Sequence, residues 1–248
     1  MQKQGLNFRL NTKVSHVKRS GERVSVGLLN SDGKSEEVRN ALIQIDSDVV
    51  LVGVGRRPNT DGLGLENIGL KMDSHGRIVV DKNFKTSIAS IRAIGDVVTG
   101  PMLAHKAEDE AVAAVAMIKN MNAHVDYLSI PSVIYTHPEV SWCGYGEEEL
   151  KSKGINYTLG YFPLMANSRA RANRNNLNFY SLVDTDGYVK VFVENESGAL
   201  LGCQIVGSNA GEMISEAVVA MSSKISVKQL AHTSHAHPVY NSFNKSTI

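Results

Sequence analysis

A chain of 248 residues with 42% hydrophobic content carries enough apolar side chains for one or two packed cores. Its formal net charge of +1 gives no electrostatic argument for nucleic acid or a charged membrane surface, and no apolar run approaches the ~18 residues of a membrane-spanning helix. The opening Met1-Gln2-Lys3-Gln4-Gly5 resembles neither a secretory signal nor a transit peptide, and Cys143 and Cys203 form no close-spaced pair, so structural thiols in a reducing compartment are expected.

Residues 6–47 read as a β-meander. Phe8, Leu10 and Thr12 alternate, as do Val24, Val26 and Leu28, and Ser31-Asp32-Gly33 supplies a turn. The run Asp48-Val49-Val50-Leu51-Val52-Gly53-Val54-Gly55 has the continuous apolar character of a strand buried on both faces of a parallel sheet. Gly62 to Gly69 is spaced one residue too long for G-x-G-x-x-G and follows no strand, so it reads as a surface turn with a short helix. Asp73 to Gly76 is a turn before an expected strand at Arg77 to Val80. A further buried strand is expected from Ile91 to Ile94, stopping at Gly95-Asp96. After a turn with Gly100 and Pro101, apolar positions Leu103, Ala107, Ala111, Ala114, Val115 and Ile118 recur at helical spacing and predict a helix to about Asn120. Met121 to Ser129 reads as a linker. Beyond it come strands at Ser132–Thr136 and Val140–Cys143, a short helix at Glu147–Lys153 and a hairpin of 187–193 with 200–206. A helix at Ala210–Ser222 follows, with Met213, Ile214, Ala217, Val218 and Met221 on one face.

Two stretches carry chemistry. Asp96 ends a predicted strand, where a carboxylate can accept hydrogen bonds from sugar-type hydroxyls. The N–H groups of Met102 to His105, at the positive end of a helix, can stabilise negative charge on a ligand ring. An ordinary strand-to-helix turn would also account for Gly-Asp alone. In His232-Thr233-Ser234-His235-Ala236-His237-Pro238, three histidines in close succession suit a metal site or an incidental polar loop. No acid or cysteine lies nearby in the sequence, and no metal is expected.

The longer strings are more specific. Ile94-Gly95-Asp96 through Lys106 resembles the second flavin-binding motif of the pyridine-nucleotide–disulfide oxidoreductases, and Pro101-Met102-Leu103-Ala104-His105-Lys106-Ala107 is similar to its form in the dihydrolipoamide dehydrogenase family. The resemblance implies that Asp96 holds a ribityl hydroxyl of FAD. It places the backbone of Met102, Leu103, Ala104 and His105 beside the pyrimidine edge of the flavin. Val54-Gly55-Arg56-Arg57-Pro58-Asn59-Thr60 resembles the segment closing the family's NAD domain, which implies that Gly55 borders the nicotinamide cofactor. Val14, in Thr12-Lys13-Val14, would then meet the adenine through its main chain. Pro131 to Glu139 resembles the opening of the dimerisation domain. His235-Ala236-His237-Pro238 resembles the family signature in which the second histidine, His237 here, takes a proton from a dihydrolipoamide thiol.

The expected fold is therefore mixed α/β and α+β: the C-terminal part of an FAD/NAD(P)-binding Rossmann-like domain followed by an α+β dimerisation domain. The expected boundaries are 1–54 for the end of the NAD domain, 55–126 for the second half of the FAD domain and 127–248 for a C-terminally shortened interface domain. The family oxidises dihydrolipoamide with NAD⁺ through a redox disulfide and FAD. It works as a homodimer on dihydrolipoamide carried by acyltransferase or glycine-cleavage components, in the mitochondrial matrix of eukaryotes or otherwise in the cytoplasm. This chain departs from that pattern in several places. It has no G-x-G-x-x-G, no close-spaced cysteines, Ser242 where the family has an orienting glutamate, and extra residues near 41–46 and 171–183. A fragment inactive by itself is the expectation. The alternatives are a non-catalytic dimerisation partner and another disulfide reductase of the superfamily, the latter disfavoured by Met-Leu-Ala-His and His-Ala-His-Pro.

Overall fold

Alternating β-branched and polar residues form a three-stranded antiparallel meander of Thr12–Ser20 (β1), Arg23–Asn30 (β2) and Leu42–Ser47 (β3), in spatial order β1-β2-β3. Gly21, at φ 62°, opens the two-residue turn between β1 and β2, a backbone region that glycine enters at little steric cost. The computed structural model describes residues 1–30, 42–173 and 184–240, in two units of 1–56 and 57–248. The expected Ser31-Asp32-Gly33 turn lies outside the described residues, and Phe8 and Leu10 precede the first strand instead of beginning it.

The expected parallel strand at 48–55 is absent. Leu51 and Val54 are 93% and 90% exposed, and the segment has no regular structure. A strand buried on both faces needs a hydrogen-bonded neighbour and a covering layer, and no described strand pairs with this one.

The second unit begins with turns rather than sheet. Leu65–Ile68 forms a single 3-10 turn flanked by Gly64 and Gly69, as the glycine spacing implied. The carboxylates of Asp73 and Asp81 each accept two main-chain N–H groups ahead of them and so tie off tight turns. The strand expected at Arg77–Val80 is reduced to one bridge, Met72 with Ile78. The strand expected at Ile91–Ile94 is likewise one bridge, Lys85 with Arg92. Both runs bury apolar side chains, but their neighbours are too irregular to extend a ladder; Leu70, Ile78, Ala93 and Val98 form a small core there. The predicted helix is present as α1, Ala104–Ile118, with a different buried face. Lys106, Glu110, Ala113 and Ala114 point inward, while Val112, Val115 and Ile118 are exposed. Residues 121–129 are irregular, as a linker would be.

From Ser132 onward a five-stranded antiparallel sheet forms in the order β4-β5-β8-β7-β6, from Ser132–Ile134 (β4), Glu139–Gly144 (β5), Tyr157–Pro163 (β6), Tyr188–Glu194 (β7) and Leu200–Gly207 (β8). The helices here are Glu147–Ser152 (α2), Ser168–Ala172 (α3), Ala210–Ser222 (α4) and Val227–His232 (α5). β6, α3 and α5 had no individual counterpart in the sequence reading. The main core joins two periodicities: Val189, Val191, Cys203 and Ile205 alternate along β7 and β8, while Ala210, Met213, Ile214, Ala217 and Ala220 recur along α4. The start of α4 is fixed to β5, because Glu139 Oε2 accepts the Gly211 N–H at 2.9 Å and Ser141 Oγ donates to the Ala210 carbonyl at 2.7 Å. A capping box of Ser226 and Gln229 starts α5.

The contrast between buried Ile205 and exposed Leu51 sets a stability test. Ile205→Ala should destabilise the second unit by about 2–5 kcal/mol, the cost of a large-to-small change in a core, whereas Leu51→Ser should stay within about 0.5 kcal/mol as a surface change. Urea unfolding followed by the single tryptophan, Trp142 on β5, reads the second unit for Ile205→Ala, and far-UV circular dichroism reads the whole chain for Leu51→Ser.

Candidate active site

Gly95 to Val97 forms a 3-10 turn that leads through Gly100 and Pro101 into α1. Both backbone groups of Gly95 are held by side chains from that helix. Its N–H donates to Glu110 Oε2 at 2.7 Å, and its carbonyl accepts from Lys106 Nζ at 2.9 Å. Lys106 and Glu110 pair at 2.9 Å with both side chains 0% exposed, and Tyr127 Oη donates to Glu110 Oε1 at 2.7 Å. Two ions taken out of water cost several kcal/mol each, and further hydrogen bonds offset that cost; here one residue's main chain and one phenol supply them. Burial and the Glu110 carboxylate together push the Tyr127 hydroxyl well above its usual range. Gly95 sits at φ 74°, a left-handed backbone that favours glycine, and a Cβ there would make a tight 3.2 Å contact with the Ala107 Cβ.

This clamp sets the turn that carries Asp96, which is half-buried. Leu103 caps α1 with no side-chain hydrogen bond, so no side chain of the cap fills the electropositive end of the helix. Met102 and Leu103 are half-buried and Ala104 is exposed. His105 Nε2 lies 2.7 Å from the Pro131 carbonyl and ties α1 to the start of the sheet domain. A helix N-terminus beside a carboxylate can stabilise negative charge on a ligand and accept hydrogen bonds from its hydroxyls. Asp96, Met102, Leu103, Ala104 and His105 thus lie together on one short segment. A cavity of about 710 Å³ opens nearby, lined by Phe84, Val98, Pro101, Met117 and Tyr127 among others, but not by Asp96 or by any residue from Met102 to His105.

Val14 and Gly55 belong to the first unit. Val14 is exposed and faces Leu28 across the β1–β2 ladder, just before a register shift. Gly55 has φ 114° in an open segment where a Cβ would meet nothing within 4 Å. The structure does not bring the two into one bonded site.

The histidine stretch follows α5. His235 has both ring nitrogens engaged: Nε2 lies 2.6 Å from Glu216 Oε1, and Nδ1 lies 2.9 Å from the Thr233 carbonyl. His235 and Glu216 are each 22% exposed. The hydrogen bond to Glu216 is the main reason that the imidazole's pKa is raised, against a smaller opposing effect of burial. His237 is exposed. Past it, Asn167 Nδ2 donates to the Val239 and Tyr240 carbonyls at 3.1 and 3.3 Å, and Tyr240 Oη donates to Asp184 Oδ2 at 2.6 Å. Burial alone would raise the Asp184 pKa, but hydroxyls of Ser208 and Tyr240 outweigh it and hold the carboxyl below its usual range. Among the described residues no group of three His, Cys, Asp or Glu side chains could hold a metal ion. Ser242 and most of the 171–183 stretch lie outside the described residues.

Sequence reasoning gave no role to Lys106, Glu110, Tyr127 or Glu216. The four-residue spacing of Lys106 and Glu110 was a usable sign of a helical pair. Glu216 lies on a different segment from His235, and nothing local links them.

Two outcomes follow. Lys106→Met should cost about 3–5 kcal/mol, because it leaves a buried carboxylate without its cation, and Lys106→Met with Glu110→Leu should recover part of that loss; urea unfolding measures both. His235 should titrate above its ordinary 6.5 in a histidine NMR titration and return toward it in Glu216→Gln. A raised folded-state pKa means that this pair's contribution is full below 6.5 and is lost as pH rises through the raised value.

Residues 1–111 match the pyridine nucleotide-disulphide oxidoreductase domain, and residues 130–246 match the dimerisation domain of the same family. The chain is 46% identical over 238 residues to a dihydrolipoamide dehydrogenase of Chaetomium thermophilum, and 47% identical over 239 residues to the mitochondrial dihydrolipoyl dehydrogenase of Bos taurus. Each alignment takes in 96% of this chain and 44% of the relative, so the chain spans less than half the length of these curated relatives. Among solved structures, LpdA from Mycobacterium tuberculosis shares the fold with a TM-score of 0.81 at 24% identity, over 96% of this chain and 48% of that one. The HOCl-induced flavoprotein disulfide reductase RclA from Escherichia coli shares it with a TM-score of 0.78 at 25% identity, over 96% of this chain and 50% of that one. The order of elements is thus part of an FAD/NAD domain followed by a dimerisation domain, and the chain is a homologue of the dihydrolipoyl dehydrogenases within the pyridine nucleotide-disulphide oxidoreductase family.

Proposed function

We propose that this chain supplies the flavin-facing turn and the acid–base histidine of a dihydrolipoyl dehydrogenase, which oxidises dihydrolipoamide with NAD⁺. The observation that carries the reading is the 47% identity across nearly the whole chain, which takes in both stretches that bear the chemistry. FAD would supply the two-electron relay between a disulfide and NAD⁺. Asp96 would hold a ribityl hydroxyl, and the backbone from Met102 to His105 would meet the flavin's pyrimidine edge at the positive end of α1. Val14 and Gly55 would border NAD, where an open glycine admits a ligand close to the backbone. His237 would accept the proton of a dihydrolipoamide thiol, leaving the thiolate that attacks a disulfide. The proposed boundaries of these parts are 1–54, 55–126 and 127–248.

The dimerisation domain supports a homodimer in which each subunit lends its histidine to the other. Substrate would arrive as dihydrolipoamide on acyltransferase or glycine-cleavage proteins. Relatives named mitochondrial support a matrix location in a eukaryote. Among the described residues no helix is long and apolar enough to cross a membrane.

A second reading is a non-catalytic pairing partner for longer subunits, which the dimerisation domain at residues 130–246 supports. Cys143 and Cys203 are both buried and unbridged, and burial pushes the Cys143 thiol up to about 12 and that of Cys203 well above its usual range. Both read as core residues on either reading. A chimera that joins the flavin- and disulfide-bearing half of a relative to this chain decides between the two. On the first reading it reduces NAD⁺ with dihydrolipoamide, and His237→Gln lowers the rate by ~10²–10⁴-fold, the usual worth of general acid–base catalysis. A chimera that binds FAD and dimerises but turns over no faster than its His237→Gln variant supports the pairing partner instead.

A further inference from the structure

We propose that Glu216 and His235 are positioning residues for His237, forming with Asn167 a two-sided clamp on the loop that presents it. The inference rests on the acid–base role proposed for His237 and names what holds that residue. Upstream, the ring of His235 is bonded at both nitrogens, to the Thr233 carbonyl within its own loop and to the Glu216 carboxylate on α4. α4 is a rigid anchor, since another face of it is buried in the main core through Met213, Ile214 and Ala217. Downstream, Asn167 is 5% exposed and fully used: its Oδ1 accepts the Ala170 N–H to start α3, and its Nδ2 donates to the carbonyls of Val239 and Tyr240. His237 lies between these anchor points in the chain and is exposed. An exposed loop with neither anchor would sample many backbone states, and an acid–base group loses efficiency when its ring is not held within reach of the proton it takes. The charge on Glu216 matters as well as its shape. A carboxylate makes the shorter, stronger bond to a ring N–H, and Glu216 makes it through Oε1, while its Oε2 is buried with no hydrogen-bond partner among the described residues.

The test uses the full 248-residue chain with ¹⁵N-labelled histidine, together with diethyl pyrocarbonate, which acylates neutral imidazole. In the wild-type chain His235 should react several-fold more slowly than His237, because both its ring nitrogens are bonded and it is part-buried, whereas His237 is exposed. Peptide mass mapping gives both rates. Glu216→Gln should raise the rate at His235. It should also shift or broaden the ring resonances of His237, while Trp142 fluorescence stays that of the folded sheet domain. His235→Gln should disturb His237 in the same way without touching Glu216. Unchanged His237 resonances and rate in both folded variants overturn the proposal and leave the pair a local bond. If neither variant folds, the pair serves folding and the positioning role is likewise overturned. The readout is the His237 ring and not turnover. A negative result therefore leaves the dihydrolipoamide reading standing, whereas failure of the chimera would leave the clamp measurable.

Discussion

Lys106 and Glu110 lie one helical turn apart on α1 with no solvent contact, and between them they grip the N–H and the carbonyl of Gly95. A lysine and a glutamate brought out of water together need further hydrogen bonds to offset the loss of solvation. In this chain the partners are the backbone of the turn before Asp96 and the hydroxyl of Tyr127 from the segment after α1. One ion pair thus fixes the start of the helix, the turn that precedes it and the segment that follows. The candidate flavin-facing residues all lie within that frame, so their placement follows from how these two charges are satisfied.

The sheet domain solves a different problem by simpler means. Its core is apolar throughout, from Val189 and Ile205 on the strands to Ile214 and Ala217 on α4, and needs no buried charge. The polar groups it buries are each hydrogen-bonded: Ser141, with part-buried Glu139, ties the start of α4 to β5, and Asn167 holds the loop after α5. The result is a stiff platform with a short histidine-bearing loop fastened to it on both sides. Rigid scaffolds with exposed loops are a common arrangement for binding and catalytic groups in general, because the scaffold carries the stability and leaves the loop free to vary.

The apolar run from Val49 to Val54 is the counterexample within the same chain. Its residues have the composition of a doubly buried strand, yet Val49, Leu51 and Val54 are among the most exposed hydrophobics of the molecule. A helix satisfies its own backbone, so α1 and α4 form wherever one face is covered. A parallel strand satisfies nothing alone and depends wholly on neighbours.

What the amino-acid sequence determined by itself was local or carried in short strings. The meander, α1, α4 and the 187–207 hairpin were legible because period-2 and period-3.6 patterns and turn residues act over a few positions. The segment from Gly95 to His105 and His-Ala-His-Pro were legible because their residue order is specific, and the family follows from them. Tertiary structure alone decided which face of α1 is buried, for Lys106 and Glu110 count as polar in any periodicity and yet form the inside of the helix. It alone paired Glu216 with His235, one on a helix and the other on a loop, which meet only when the chain is folded. It alone left 49–54 without sheet, since burial of a strand is decided by what lies beside it and not by its own side chains.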